Sequence, residues 1–108
     1  MKFQIIIQQP ARLDIEAIYL YLRDRSPTGS AKWLAGIEKA IVSLERFPKR
    51  CGLARENAEF PGEGIRQLIY GRRGGRYRVV YVIRENKVHV LHVRHGARDA
   101  FSPDELES

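Results

Sequence analysis

The chain has 108 residues, 44% hydrophobic and 30% charged, which suits one globular domain with one core and excludes two. No apolar run is long enough to cross a bilayer, and the opening Phe3-Gln4-Ile5-Ile6-Ile7 is too short for a signal-peptide core and lacks a small-residue cleavage site after it. A cytoplasmic protein with no membrane partner is therefore expected, the single cysteine, Cys51, excludes an internal disulfide, and the net charge of +6 leaves room for an anionic partner.

In chain order, Phe3 to Gln8 reads as a short β-branched strand ended by Pro10, which suits the first turn of a helix. From Ala11 to Arg25, Ile15, Ile18, Tyr19 and Leu22 recur at helical spacing on one face. Ser26-Pro27 breaks that helix, because the residue before a proline is pushed out of the helical region. A second helix is predicted from Thr28 or Ser30 to Phe47, with the stripe Leu34, Ile37, Ile41, Leu44, and Pro48 stops it. Two helices joined this closely form an antiparallel hairpin. Trp33, Tyr19 and Tyr21 fall at core spacing in these helices and are expected to be packing residues.

Arg50 to Gly64 carries glycine and proline with little periodicity and reads as loop. Three strands follow: Ile65 to Tyr70, Arg76 to Arg84 and Lys87 to Arg94, separated by the glycine-rich turn Gly71-Arg72-Arg73-Gly74-Gly75 and the tight turn Glu85-Asn86. Tyr77 and Tyr81 share one strand face, where they are expected to meet the helices. The order β-α-α-β-β-β predicts an α+β fold, a helical hairpin packed on one face of a mainly antiparallel sheet. One domain spans 1–108, with 99–108 a loose tail or one short helix.

The charge is concentrated. Between Arg66 and Arg98 stand nine basic residues (Arg66, Arg72, Arg73, Arg76, Arg78, Arg84, Lys87, Arg94, Arg98) against one acid, Glu85. Such a stretch either keeps strand edges soluble or contacts an anion. Arg72, Arg73 and Arg76, with Arg66, are the candidates for binding nucleic acid or an acidic protein. His89 and His92 are three apart on a strand and are expected on opposite faces, so they do not form a shared metal site, and no metal or other cofactor is called for. The glycine-rich turn lacks the Lys-Ser/Thr of a nucleotide-binding loop.

Several fragments, in order and on matching secondary structure, carry a resemblance. They are Asp14-Ile15, Ile18 and Tyr21-Leu22, then Ser26-Pro27 and Ala31, then Leu44, Phe47-Pro48 and Gly52. In the sheet they are Arg66-Gln67-Leu68, Gly71, Tyr77-Arg78-Val79-Val80-Tyr81 and Val90-Leu91-His92-Val93-Arg94-His95-Gly96-Ala97-Arg98. Over nearly its whole length the chain resembles the RelE/ParE family of toxins from type II toxin–antitoxin systems, which includes plasmid stabilisation proteins. The resemblance implies a growth-inhibiting toxin silenced by a cognate antitoxin and reaching operator DNA only through that antitoxin. RelE-like members cut ribosome-bound mRNA, whereas ParE-like members poison DNA gyrase.

Metal-free RNA cleavage needs a base for the 2′-hydroxyl, a cation at the phosphorane and an acid for the leaving oxygen. Arg78 and Arg98 stand where RelE-like nucleases place arginines at the scissile phosphate, a task that suits a planar, permanently charged fork. Those enzymes also use lysines on the strand before the glycine-rich turn, where this chain has Ile65-Arg66-Gln67-Leu68-Ile69-Tyr70, and a C-terminal tyrosine, where it has Phe101. Arginine is a poor base, with a pKa above about 12. His95 is the remaining candidate acid or base, and it also reads as an ordinary strand-end residue. The string His95-Gly96-Ala97-Arg98 is closer to ParE-like members. The sequence thus favours gyrase as target. A metal-independent mRNA endonuclease using Arg78, Arg98 and His95 is the alternative, and a non-toxic antitoxin-binding module a third reading.

Overall fold

The computed structural model describes residues 2–60, 62–71 and 75–96. Strand β1 (Gln4–Ile7) leads directly into helix α1 (Gln9–Arg23), with Pro10 in its first turn. Helix α2 (Pro27–Val42) starts after Ser26, whose extended backbone and side-chain oxygen, accepting from the Gly29 N–H at 3.0 Å, make a serine N-cap. Strands β2 (Arg66–Tyr70), β3 (Tyr77–Arg84) and β4 (Lys87–His95) complete the chain order.

The second helix is shorter than its sequence predicts. It ends at Val42, continues as a 3₁₀ turn over Ser43–Glu45, and gives way at Arg46 to extended backbone. Two residues account for this. The Ser43 hydroxyl donates to the Ala40 carbonyl, a local bond that competes with the helical ladder. Phe47, ahead of Pro48, is driven out of the right-handed helical region and adopts φ 50°. The freed carbonyls of Arg46 and Phe47 accept from the Arg50 guanidinium at 2.7 and 3.2 Å. The segment expected as loop contains two further 3₁₀ turns, Pro48–Arg50 and Arg55–Glu59.

The four strands lie in the order β1-β4-β3-β2. β2, β3 and β4 are antiparallel neighbours, and β1 pairs with β4 in parallel, Gln4 opposite Lys87 and Ile7 opposite Val90. β3 is central and buried on both faces, so Tyr77 to Val82 is continuously buried rather than alternating. Toward the helices, Tyr77, Val79 and Tyr81 pack with Trp33, Ile37, Ile41 and Leu44, and Ile15, Ile18, Tyr19 and Leu22 of α1 flank that cluster. Away from the helices, Val80 and Val82 pack with Ala54 and Ile65 and are flanked by Phe60 and Leu91, so Ala54, Phe60 and Ile65 cover this part of the outer face. Trp33 and Tyr19 pack as expected; Tyr21 does not. It is 57% exposed, and the Arg25 guanidinium lies 3.6 Å from its ring centre.

A bulge interrupts β4. Val80 pairs with His92 but Tyr81 pairs with Val90, leaving Leu91 as the extra residue. Val90 and Val93, three apart, therefore both join the helix-side core. The simple alternation used to separate His89 from His92 fails across this point. The two imidazoles nevertheless have different partners: Nδ1 of His89 is 3.0 Å from Gln8 Nε2, and Nδ1 of His92 is 3.0 Å from Asp14 Oδ2. Asp14 Oδ2 also accepts from the Val93 N–H at 3.0 Å, so α1 satisfies β4 where β1 has ended.

Candidate functional site

The outer face of the sheet gathers the polar chemistry. Gln67 and Arg78 lie on neighbouring strands and face away from the helical hairpin, toward the Arg55–Glu59 turn. Arg78 is only 3% exposed, and its fork meets the Glu56 carboxylate in two bonds, 2.9 Å to Oε1 and 2.7 Å to Oε2. The same side chain donates to Gln67 Oε1 at 3.0 Å and to the Gly96 carbonyl at 3.1 Å. This is the paired fork geometry arginine makes with a carboxylate or a phosphate, here completed within the chain. Burial pushes the Glu56 carboxyl upward. The Arg78 hydrogen bond, a backbone hydrogen bond and the charges of Arg78 and Arg55 more than offset that, and hold it below the ordinary carboxylate value.

Beside this pair lies an open concavity of about 310 Å³ lined by Arg55, Gln67, Ile69, Arg76, Arg78 and Gly96. Arg76 is exposed at its rim, with no carboxylate within ion-pair distance among the described residues. Arg66, grouped with it on sequence, is placed elsewhere. Its guanidinium donates to the carbonyls of Cys51 at 2.6 Å and Lys49 at 3.3 Å, and so fastens the Pro48–Arg50 turn to the sheet edge. Arg84 is spent on an exposed pair with Glu63 at 2.8 Å.

His95 stands at the end of β4 with its ring edge-on to Tyr77, centres 5.1 Å apart, and Tyr77 in turn meets Trp33 at 5.2 Å. Burial, with Tyr21 nearby, raises the Tyr77 hydroxyl above its usual range. Tyr81 is more deeply set. Its hydroxyl donates to the Pro48 carbonyl at 2.5 Å, and burial, with Cys51 beside it, also pushes its pKa upward. Both tyrosines therefore belong to the packing of the core. Arg72, Arg73 and Arg98, together with Phe101 and the expected tail at 99–108, lie outside the described residues. Gly96, two positions before Arg98, is fixed against β3 by its N–H to the Arg76 carbonyl at 2.7 Å.

Sequence reasoning reached Arg78 and Arg76 but missed Glu56, Gln67 and Arg55. Glu56 shares its segment with Glu59 and Glu63, and nothing in the spacing marks which acid turns inward. Asp14 stood among the fragments of the resemblance without a role; its task is to hold β4.

The chain matches a family model described as the ParE toxin of the type II toxin–antitoxin system parDE, over residues 5–100. Among solved structures it is similar to a chain of the chromosomal ParDE system from P. aeruginosa, at TM-score 0.69 and 19% identity, covering 87% of this chain and 96% of that one. It is also similar to a chain of the RelBE2 toxin–antitoxin complex from Mycobacterium tuberculosis, at TM-score 0.54 and 29% identity, covering 88% of this chain and 99% of that one. No curated protein matches it.

Proposed function

We propose that this chain, which belongs to the ParE toxin family of type II toxin–antitoxin systems, arrests growth in the cytoplasm when free by poisoning DNA gyrase, and that a cognate antitoxin silences it. The observation that carries the choice of gyrase over RNA is the state of Arg78. Its fork is occupied by Glu56, Gln67 and Gly96, so it would have to exchange a buried carboxylate for a scissile phosphate before acting on RNA. The absence of lysine from β2 supports the same choice. Operator DNA is reached only through the antitoxin.

Expression of the chain alone is expected to stop bacterial growth, with gyrase-dependent double-strand breaks and intact cellular mRNA, and co-expression of the antitoxin restores growth. Normal growth with verified soluble protein would leave only a binding module. The second reading, a metal-independent mRNA endonuclease with Arg78 and Arg98 at the phosphate and His95 as acid or base, is supported by the arginine-lined concavity next to Arg78. Under that reading primer extension on translated mRNA shows cuts inside codons, and Arg78→Ala abolishes them, since a lost transition-state cation costs roughly a hundred- to a thousandfold in rate. In-codon cuts would overturn the gyrase reading.

A further inference from the structure

Phe47 is the most exposed large apolar side chain among the described residues, 80% open to solvent, and its backbone is strained. Its φ of 50° and ψ of 52° lie in the left-handed region, where a bulky residue is a rare outlier. Pro48 denies Phe47 the right-handed helical region but leaves it the extended one, so the proline alone does not demand this strain. The turn around it does. The Arg50 guanidinium donates to the carbonyls of Ser43, Arg46 and Phe47 and to the Ser43 hydroxyl, and the Arg50 N–H donates to the Phe47 carbonyl at 3.0 Å. Pro48 is buried with its carbonyl held by Tyr81, and Arg66 holds the carbonyls of Lys49 and Cys51. A rigid turn thus keeps one ring in water, with Arg46 and Lys49 close to it in the chain. Both cations are exposed, and neither has a carboxylate within ion-pair distance among the described residues. Strain that a fold maintains at its surface points to a use for the strained residue.

We infer that Phe47 is the anchor by which the free chain grips a folded protein target. The ring enters an apolar pocket of that protein, and carboxylates at the pocket's rim meet Arg46 and Lys49. The inference rests on the reading above in one respect, that the target is gyrase. Three features select this occupant. A large apolar side chain that is desolvated on binding and ringed by polar contacts has the form of an interface hot spot, and a rigid one loses little entropy on docking. A projecting ring also needs a ready-made hollow, which a folded protein offers. An antitoxin segment that orders on binding works the other way, laying its own side chains into hollows of this chain. A nucleic acid, finally, calls for a track of free cations and further rings to stack its bases. This turn has one ring, Arg50 is spent on carbonyls of its own turn, and Lys2 lies 3.9 Å from Glu45, which leaves Arg46 and Lys49 to meet a partner.

The test uses the full chain, purified and mixed with gyrase holoenzyme in the absence of DNA or with a short DNA duplex alone, and expressed in growing cells. Phe47→Asn removes the ring and suits a left-handed backbone, so its thermal midpoint is expected at or above that of the unaltered chain. It should weaken gyrase binding by about tenfold or more and relieve growth arrest, as truncation of an anchor does. Phe47→Tyr, which keeps the ring, should bind and arrest like the unaltered chain. Arg46→Glu combined with Lys49→Glu should weaken binding by about tenfold at low salt and by less at high salt. The anchor is overturned if Phe47→Asn binds gyrase and arrests growth like the unaltered chain, or if Phe47→Tyr is as defective as Phe47→Asn. It is also overturned if Phe47→Asn and Phe47→Gly both lower the thermal midpoint, which makes the ring a structural part, or if the chain binds the duplex alone and loses that binding with the ring. Gyrase binding by the unaltered chain and Phe47→Asn alike removes the anchor and leaves the gyrase reading. Arrest without gyrase binding removes gyrase, and an anchor to another protein then stands only if Phe47→Asn relieves the arrest. A chain that neither binds gyrase nor arrests growth overturns both.

Discussion

The two faces of this sheet are held by different physics. On the helix side, Val79, Tyr81, Val88, Val90 and Val93 meet the apolar stripes of α1 and α2, and almost all the attraction is non-directional burial. On the outer side a short 3₁₀ turn is fixed to β3 by the Arg78–Glu56 pair, with a smaller apolar patch of Ala54, Ile65, Val80 and Val82 beneath it. Burial tolerates substitutions that conserve volume, whereas a buried ion pair fails when either member is lost. The outer face is thus the more brittle of the two, and it is also the face that carries the concavity.

The largest expected effect follows from breaking that pair. Glu56→Ala leaves the Arg78 guanidinium, 3% exposed, without its carboxylate and should cost about 3–5 kcal/mol in chemical denaturation. Replacing both partners together, as Glu56→Leu with Arg78→Met, should recover most of the loss. If the double variant is as unstable as the single one, the pair is not what fixes the outer face. The same pair sets a pH dependence. The Glu56 carboxyl titrates lower in the folded chain than its ordinary value of 4.5. Its contribution is therefore fully present above that pH and fades as pH falls through the lowered folded value. Glu56→Gln should flatten this acid limb of a stability–pH curve, and an unchanged limb would place the titration elsewhere.

A smaller effect tests the helix side. Gly36 on α2 faces the Tyr70 hydroxyl of β2 so closely that a Cβ there would overlap it. Gly36→Ala should destabilise by about 1–3 kcal/mol through overpacking. Gly36→Ala should cost much less in a Tyr70→Leu background, which lacks both the hydroxyl and the ring carbon that would overlap the new Cβ. Failure of the rescue would mean that the helix backbone, not the tyrosine, resists the methyl group. The smallest change is Ser26→Ala, which deletes the N-cap of α2 and should cost about 1 kcal/mol by thermal denaturation.

The same division explains what the sequence discloses. Element order, the helical stripes and the strand positions are read correctly from periodicity, because the helix-side core is built on periodic apolar contacts. Tyr21 shows the limit of that method. It sits at a spacing compatible with the core, yet points to solvent under Arg25, since a helix has more apolar positions than the sheet can cover. The outer face escapes for a different reason. Glu56 reaches Arg78 from 22 positions away in an aperiodic segment, and no local pattern encodes a contact of that range. Bulge residue Leu91 is equally hidden, because β-branched and apolar residues continue on both sides of it. Arg76 and Arg78 of the candidate site were visible as charges, whereas Arg55 was not singled out. That Arg78 is neutralised internally was not visible.

The parallel pairing of β1 with β4 has a consequence for the order in which the chain can acquire structure. Gln4 finds its sheet partner at Lys87, and Asp14 of α1 finds Val93, so the first strand and first helix both wait for the last strand. During synthesis, a ribosome that has reached the end of β3 has released an N-terminal strand with no neighbour and a helical hairpin with only part of its floor. Contacts of such long sequence separation close slowly. The face that completes the sheet is therefore assembled last, and a nascent chain spends most of its time on the ribosome without the surface its fold is built to present.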